Sequence, residues 1–217
     1  MISKLLGWLK PKQPQMDVAE TKMFGHVVIR DKETGEVITD VYNAINFENM
    51  SQALALSLAD RPDGSILYMV FGNGGSVVSA IGTITYFPPN VTSGATLYNQ
   101  TYQKIVDDYS PLNTDPANNY MRVSHVSGLP YSDIQVVCTL DYNEPSGQMA
   151  FDNAPLTNNN NPSGTGSPLA TYIFDEIGLT NGSSPPLLLS HVIFHPVQKS
   201  LNRSIEITYT IRIYLGS

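Results

Sequence analysis

The sequence predicts a mainly β protein, an antiparallel β-sandwich or jelly-roll-like domain with one amphipathic helix and an N-terminal arm. Three observations predict it. From residue 24 onward, short runs rich in Val, Ile, Tyr, Phe and Thr recur between turn signals made of Gly, Pro, Asn and Asp. A single stretch carries convincing helical spacing. Charged residues make up only 14% of the chain, against about 25% in ordinary soluble domains, so Asn, Ser, Thr and Tyr must supply a neutral polar surface. Hydrophobic residues, at 41%, are sufficient for a core. A length of 217 residues suits one large all-β domain. The expected organisation is an amphipathic arm and tether over 1–22 and a single β-sandwich domain over 23–217.

The arm, "MISKLLGWLK", groups Leu5, Leu6, Trp8 and Leu9 between lysines and stops at Pro11. Two helical turns are marginal alone and need a surface to lie against. The apolar run is far shorter than the ~20 residues of a membrane span, and no small-residue cleavage site follows it. Residues 11–22 are polar and contain prolines, as a tether does. A hairpin is expected over 24–30 and 37–43, with Gly35 in its turn. In "NFENMSQALALSLADRPDG", Phe47, Met50, Leu54 and Leu58 fall three or four apart, Asn46 can cap the start, and Arg61-Pro62-Asp63-Gly64 ends the helix. Strand-like runs follow at 66–72, 80–87, 97–107, 119–127 and 133–143. Residues 155–168 form a low-complexity loop. Three more strands, 171–179, 187–198 and 203–214, close the chain, giving nine or ten in all. The last alternates cleanly, with Ile205, Ile207, Tyr209, Ile211 and Ile213 on one face.

Groups that suggest chemistry fail on spacing. His191 and His195 have the separation of a helical zinc pair, but Val192, Ile193, Phe194 and Pro196 make the run a strand. Four residues of strand cover roughly 13 Å, too far for two ligands of one metal. Both side chains should share a face. Asp175 and Glu176 are adjacent, so a regular strand would turn them to opposite sides; each should cap a turn or pair with Lys199 or Arg203. The glycine-rich "FGNGGSVVS" lacks the Lys-Ser/Thr of a phosphate loop and the third glycine of a dinucleotide fingerprint. It predicts a tight turn with glycines at positive φ. Cys138 sits among apolar neighbours in an alternating strand, as a structural thiol rather than a nucleophile paired with His125. "DDYSPLNTDPAN" lacks the central Gly and terminal Glu of a calcium loop. No catalytic, cofactor-binding or metal residue is assigned, and the chain reads as a non-enzyme with no cofactor.

The net charge of −7 disfavours binding nucleic acid by phosphate neutralisation. One cysteine allows no internal disulfide, which suits assembly in a reducing cytoplasm.

Several segments carry a resemblance. Phe174-Asp175-Glu176-Ile177-Gly178-Leu179, the apolar strand leading to Lys199-Ser200, and the closing strand Ser204–Ile213 resemble the C-terminal pattern of tail- and collar-fibre attachment proteins. With "VITDVYNAINFENMSQALALSLA", "YMVFGNGGS" and "LYNQTYQKIVDD", residues 24–217 resemble virion structural proteins of contractile-tailed bacteriophages, cyanophages in particular. The resemblance implies a virion location in the tail or neck, manufacture in host cytoplasm, and partners that are other copies of the chain and other tail or neck proteins. It implies a homo-oligomeric adaptor of the neck, collar or baseplate. In that setting Leu5, Leu6, Trp8 and Leu9 are expected at a protein interface, inserted in a groove of a neighbouring subunit. The alternative is a carbohydrate-binding module of a tail fibre, with Tyr98, Tyr102, Tyr109 and Tyr131 stacking on sugars.

Overall fold

The computed structural model describes residues 20–146 and 172–216. Leu5, Leu6, Trp8 and Leu9, the tether as far as residue 19, and the low-complexity loop lie outside the described residues.

Strands β1 (Glu20–Asp31) and β2 (Val37–Tyr42) form the expected hairpin, with Gly35 at φ +72° in its turn. There the Asp31 carboxylate accepts the amides of Glu33 and Thr34. The strand starts at Glu20 rather than 24 because residues 20–23 pair with the chain's last residues, Glu20 opposite Gly216. A two-residue β3 (Ala44–Ile45) precedes α1 (Phe47–Leu58). Asn46 caps α1 as expected, its Oδ1 accepting the Asn49 amide at 3.1 Å.

The apolar stripe of α1 is corrected. Phe47 and Leu58 are 71% and 89% exposed, and the buried residues are Asn49, Met50 and Ala53. Asn49 belongs inside because its Nδ2 donates to the Leu188 carbonyl at 2.8 Å, which rotates the buried face away from the outer ends of the stripe.

Then come β4 (Ile66–Gly72), β5 (Ser76–Val78), β6 (Ile84–Tyr86), β7 (Gln100–Ile105), β8 (Tyr120–His125), β9 (Tyr131–Leu140), β10 (Tyr172–Asn181), β11 (Leu188–Lys199) and β12 (Ile205–Gly216). The described residues thus hold twelve strands, two or three more than expected. The surplus is short pieces: β3, and β5, which pairs with β6 inside the segment read as a glycine turn.

Sheet A has the order β2-β1-β12-β9-β8 and sheet B the order β3-β11-β10-β4-β7; every pairing is antiparallel. The fold is the β-sandwich that the alternating runs predicted. Between the sheets lies one apolar core. Val27, Ile29, Val136, Cys138, Leu140, Ile207 and Tyr209 of sheet A meet Met69, Phe71, Phe174, Ile177, Leu179, Val192 and Phe194 of sheet B. Tyr209 is fully buried, and its hydroxyl donates to Ser190 Oγ at 2.7 Å, a polar tie across the core. The outer face of sheet B is covered by the segment 73–99, where Ala95 and Leu97 pack on Val70 and Leu188. No helix among the described residues is long and apolar enough to cross a membrane.

Candidate functional site

Asp175, Glu176 and His191 come together, which the expected alternation does not allow. Phe174 and Ile177 both enter the core, so the two residues between them must leave on the same side. The pairing of β10 with β11 permits this. Phe174 is opposite Val197 and Glu176 opposite Ile193, so one residue of β10 faces three of β11, among them Pro196, which has no N–H for a ladder.

Both carboxylates then meet the 73–99 segment. Asp175 Oδ1 accepts Gly75 N at 2.9 Å, and Oδ2 accepts the Ser76 hydroxyl at 2.6 Å. Glu176 Oε1 accepts the amides of Gly74 at 3.0 Å and Asn99 at 2.8 Å; Oε2 accepts Tyr98 N at 2.9 Å and bonds His191 Nε2 at 3.0 Å. Asn90 N donates to His191 Nδ1 at 2.8 Å, leaving Nε2 as the ring's donor. Desolvation opposes ionisation of both acids. At Asp175 it prevails and raises the pKa despite the Ser76 and Gly75 bonds. At Glu176 the bonds from His191 and three amides outweigh it and hold the carboxyl below its usual range. All three side chains are 0–1% exposed, so the cluster has no face for a substrate. Its role is to fasten the cover onto sheet B.

Gly72, Gly74 and Gly75 are not at positive φ, contrary to expectation. They are required by proximity. A Cβ on Gly72 would lie 2.4 Å from Glu176 Oε1, and one on Gly75 would lie 2.9 Å from the Asp175 carbonyl.

His195 is exposed on the same outer face as His191, bonded through Nδ1 to the Tyr86 hydroxyl at 3.0 Å. Lys199 and Arg203 reach neither acid. Arg203 pairs with Asp31, while the buried Lys199 ammonium donates to the Ser200 carbonyl at 3.0 Å. Burial brings Lys199 down to about 8, against the opposing pull of Glu144 and Asp141. Cys138 is fully buried and desolvation pushes its thiol up to about 12, as a structural cysteine requires. In the acidic loop, Asp107 accepts Tyr109 N, Asp108 accepts Met121 N, and Asp115 holds Asn118. Among the described residues no group of three or more His, Cys, Asp or Glu is placed to hold a metal ion.

The four candidate tyrosines do not form one platform. Tyr98 donates to the Pro88 carbonyl within the cover, and Tyr102 packs beside Phe71. Tyr109 is 91% exposed at one end of the sandwich. Tyr131 lies on the outer face of sheet A beneath the Arg212 guanidinium, 3.9 Å from the ring centre.

The described residues include two concavities. The first is an apolar cleft of about 320 Å³ between α1 and the inner face of sheet A, lined by Met50, Ala53, Leu54, Met121, Ile134 and Ile213. It lies where the inward side chains of β8, β9 and β12 face α1, which leaves Val123 73% exposed. Exposed Tyr109 and Val123 belong to its wall. The second, of about 520 Å³, is a groove on the outer face of sheet A among Phe24, His26, Tyr42, Tyr131, Arg212 and Tyr214. Register creates it: Phe24 is opposite Arg212, His26 opposite Tyr42, and Tyr131 opposite Tyr214. Sequence reading missed both. The one available signal for the cleft was the run of alternating apolar residues in β12, which continues to Ile213.

Compared with protein-family models, curated proteins and solved structures, the chain matches none of them.

Proposed function

We propose that this chain is a non-catalytic structural protein that acts by self-association, as a homo-oligomeric adaptor in the neck, collar or baseplate region of a contractile-tailed phage. One observation carries the self-association: among the described residues, the sandwich leaves an apolar end uncovered, where the cleft under α1 opens beside Tyr109 and Val123, 91% and 73% exposed. Apolar surface of this kind is stable in water when another protein covers it. The acids and histidine that could have done chemistry are already engaged with the chain's own backbone amides. Support for the phage setting is the resemblance of Phe174–Leu179, the Lys199-Ser200 junction and the closing strand to tail and collar proteins. Sedimentation of the full chain tests the reading. A discrete oligomer is expected, and a monomer at all concentrations overturns it.

A carbohydrate-binding role is favoured by a separate feature, the aromatic groove on sheet A. Tyr42 is 81% exposed there, and Arg212 is held over Tyr131 by two bonds to the Asp133 carboxylate, at 2.8 and 2.9 Å. Flat rings beside a fixed guanidinium suit the apolar face and hydroxyls of a sugar. Glycan-array binding that disappears in Tyr131→Ala and Tyr42→Ala is the expected signature of this second reading; no binding to any glycan removes it.

A further inference from the structure

Resting on the self-association reading, we infer that the cleft between α1 and sheet A is the receptor for residues 1–12 of a second copy, with Trp8 and its neighbouring leucines filling it. Four observations converge.

The first is chemical. The cleft is lined almost wholly by apolar side chains, and Leu5, Leu6, Trp8 and Leu9 make the first twelve residues the most compact apolar cluster outside the described residues.

The second is position. The cleft lies at the end of the sandwich where β1 begins. Its wall residue Ile213 is opposite Met23, three residues after Glu20. Residues 13–19, if extended, span about 25 Å, enough to leave one subunit and enter a neighbour abutting at this end. The other long stretch outside the described residues, 147–171, connects the far ends of β9 and β10. It departs after Ser146, past the end of β9 at Leu140, and returns at Tyr172; Leu140 is six residues, about 20 Å of strand, from the wall residue Ile134.

The third is charge. Lys4, Lys10 and Lys12 lie in residues 1–12, and none of the chain's nineteen acids does. The remainder is strongly acidic, and it places Asp108 in the cleft wall and Asp63 beside the wall residue Gly64. A basic apolar segment is therefore drawn to this mouth and not repelled by it.

The fourth is size. A single large aromatic with flanking leucines is the kind of anchor that fills a cavity of about 320 Å³.

Trp8 is the sole tryptophan, so the full-length protein reports on its own arm. Trp8 emission and acrylamide quenching would be followed through a dilution series, with sedimentation in parallel, for the native chain and for two cleft variants, Ala53→Phe and Met121→Asp. Far-UV circular dichroism checks that each variant folds, and the space-filling Ala53→Phe keeps the test open if Met121→Asp does not. The expected result is a blue-shifted, quencher-protected Trp8 that becomes exposed as the oligomer dissociates, and exposed at all concentrations in the folded cleft variant. Protection equal in native and variant proteins while the oligomer persists would overturn the cleft assignment and leave self-association standing. Protection retained in a monomer would overturn the exchange between copies. An exposed Trp8 in a monomer would overturn both this inference and the reading beneath it.

Discussion

At the scale of single residues, the most consequential group is Glu176, fully buried and fastened by three backbone amides and one imidazole. Glu176→Gln replaces an acceptor oxygen with an NH2 that cannot accept from Tyr98 or His191. A loss of about 3 kcal/mol is expected, the range for breaking a buried charged network, read from the urea midpoint. Because its folded pKa is depressed, the Glu176 contribution is present above the ordinary glutamate range and is lost as pH falls through the folded value. Asp175 acts in the opposite sense, since its raised pKa makes protonation easier in the folded chain. On the alkaline side Lys199 is opposed by Cys138, whose raised thiol pKa lowers stability as pH climbs above the ordinary thiol value. Between about pH 8 and the ordinary lysine range the unfolded chain holds a Lys199 proton that the folded chain has lost, so the lysine's contribution to stability rises with pH. Lys199→Met should remove that rise, seen between about pH 8 and 9, below the ordinary thiol value, as a urea midpoint that no longer climbs. These roles were only half legible. The expectation that an acid caps a turn holds for both residues, but their shared direction depends on an irregular pairing, Phe174 with Val197 and Glu176 with Ile193, which no local pattern records.

At the scale of elements, the cap of α1 was readable because Asn46 acts on its own next turn. Asn46→Ala should cost about 1 kcal/mol for the cap and somewhat more here, since Asn46 Nδ2 also donates to the Thr92 carbonyl at 2.9 Å; thermal melting checks it. The exposed ends of the helix stripe were not readable, because burial is decided by where β11 places Leu188, a tertiary matter. The glycine turn shows the same division. Its glycines were evident, but their cause was closeness to Glu176 and Asn99 rather than backbone sign. Gly72→Ala should therefore destabilise by roughly 3 kcal/mol through overpacking, with the cover segment loosening first. Faster amide exchange at Tyr98 and Asn99 than in the strands of sheet A is the readout.

At the scale of the whole molecule, the sandwich was legible from strands such as β12, whose faces alternate between buried and more open; β10 and β11, buried on both faces beneath the cover, carry no such alternation. Which strands neighbour one another was not, since β1 pairs with β12 across nearly the full chain. Cys138 provides a probe of this global structure. It is fully buried on β9, directly opposite Ile207 of β12, with a thiol at about 12. Thiol-reagent labelling in native buffer should proceed no faster than global unfolding and should accelerate in step with urea denaturation; rapid labelling of the native protein would contradict the packed core. The placement of β12 between β1 and β9 has a temporal meaning as well. Sheet A has a gap at its centre until residue 216 has been synthesised, so during translation β1 and β9 wait as unjoined edges, and the cell must shield them from sticking to other nascent chains.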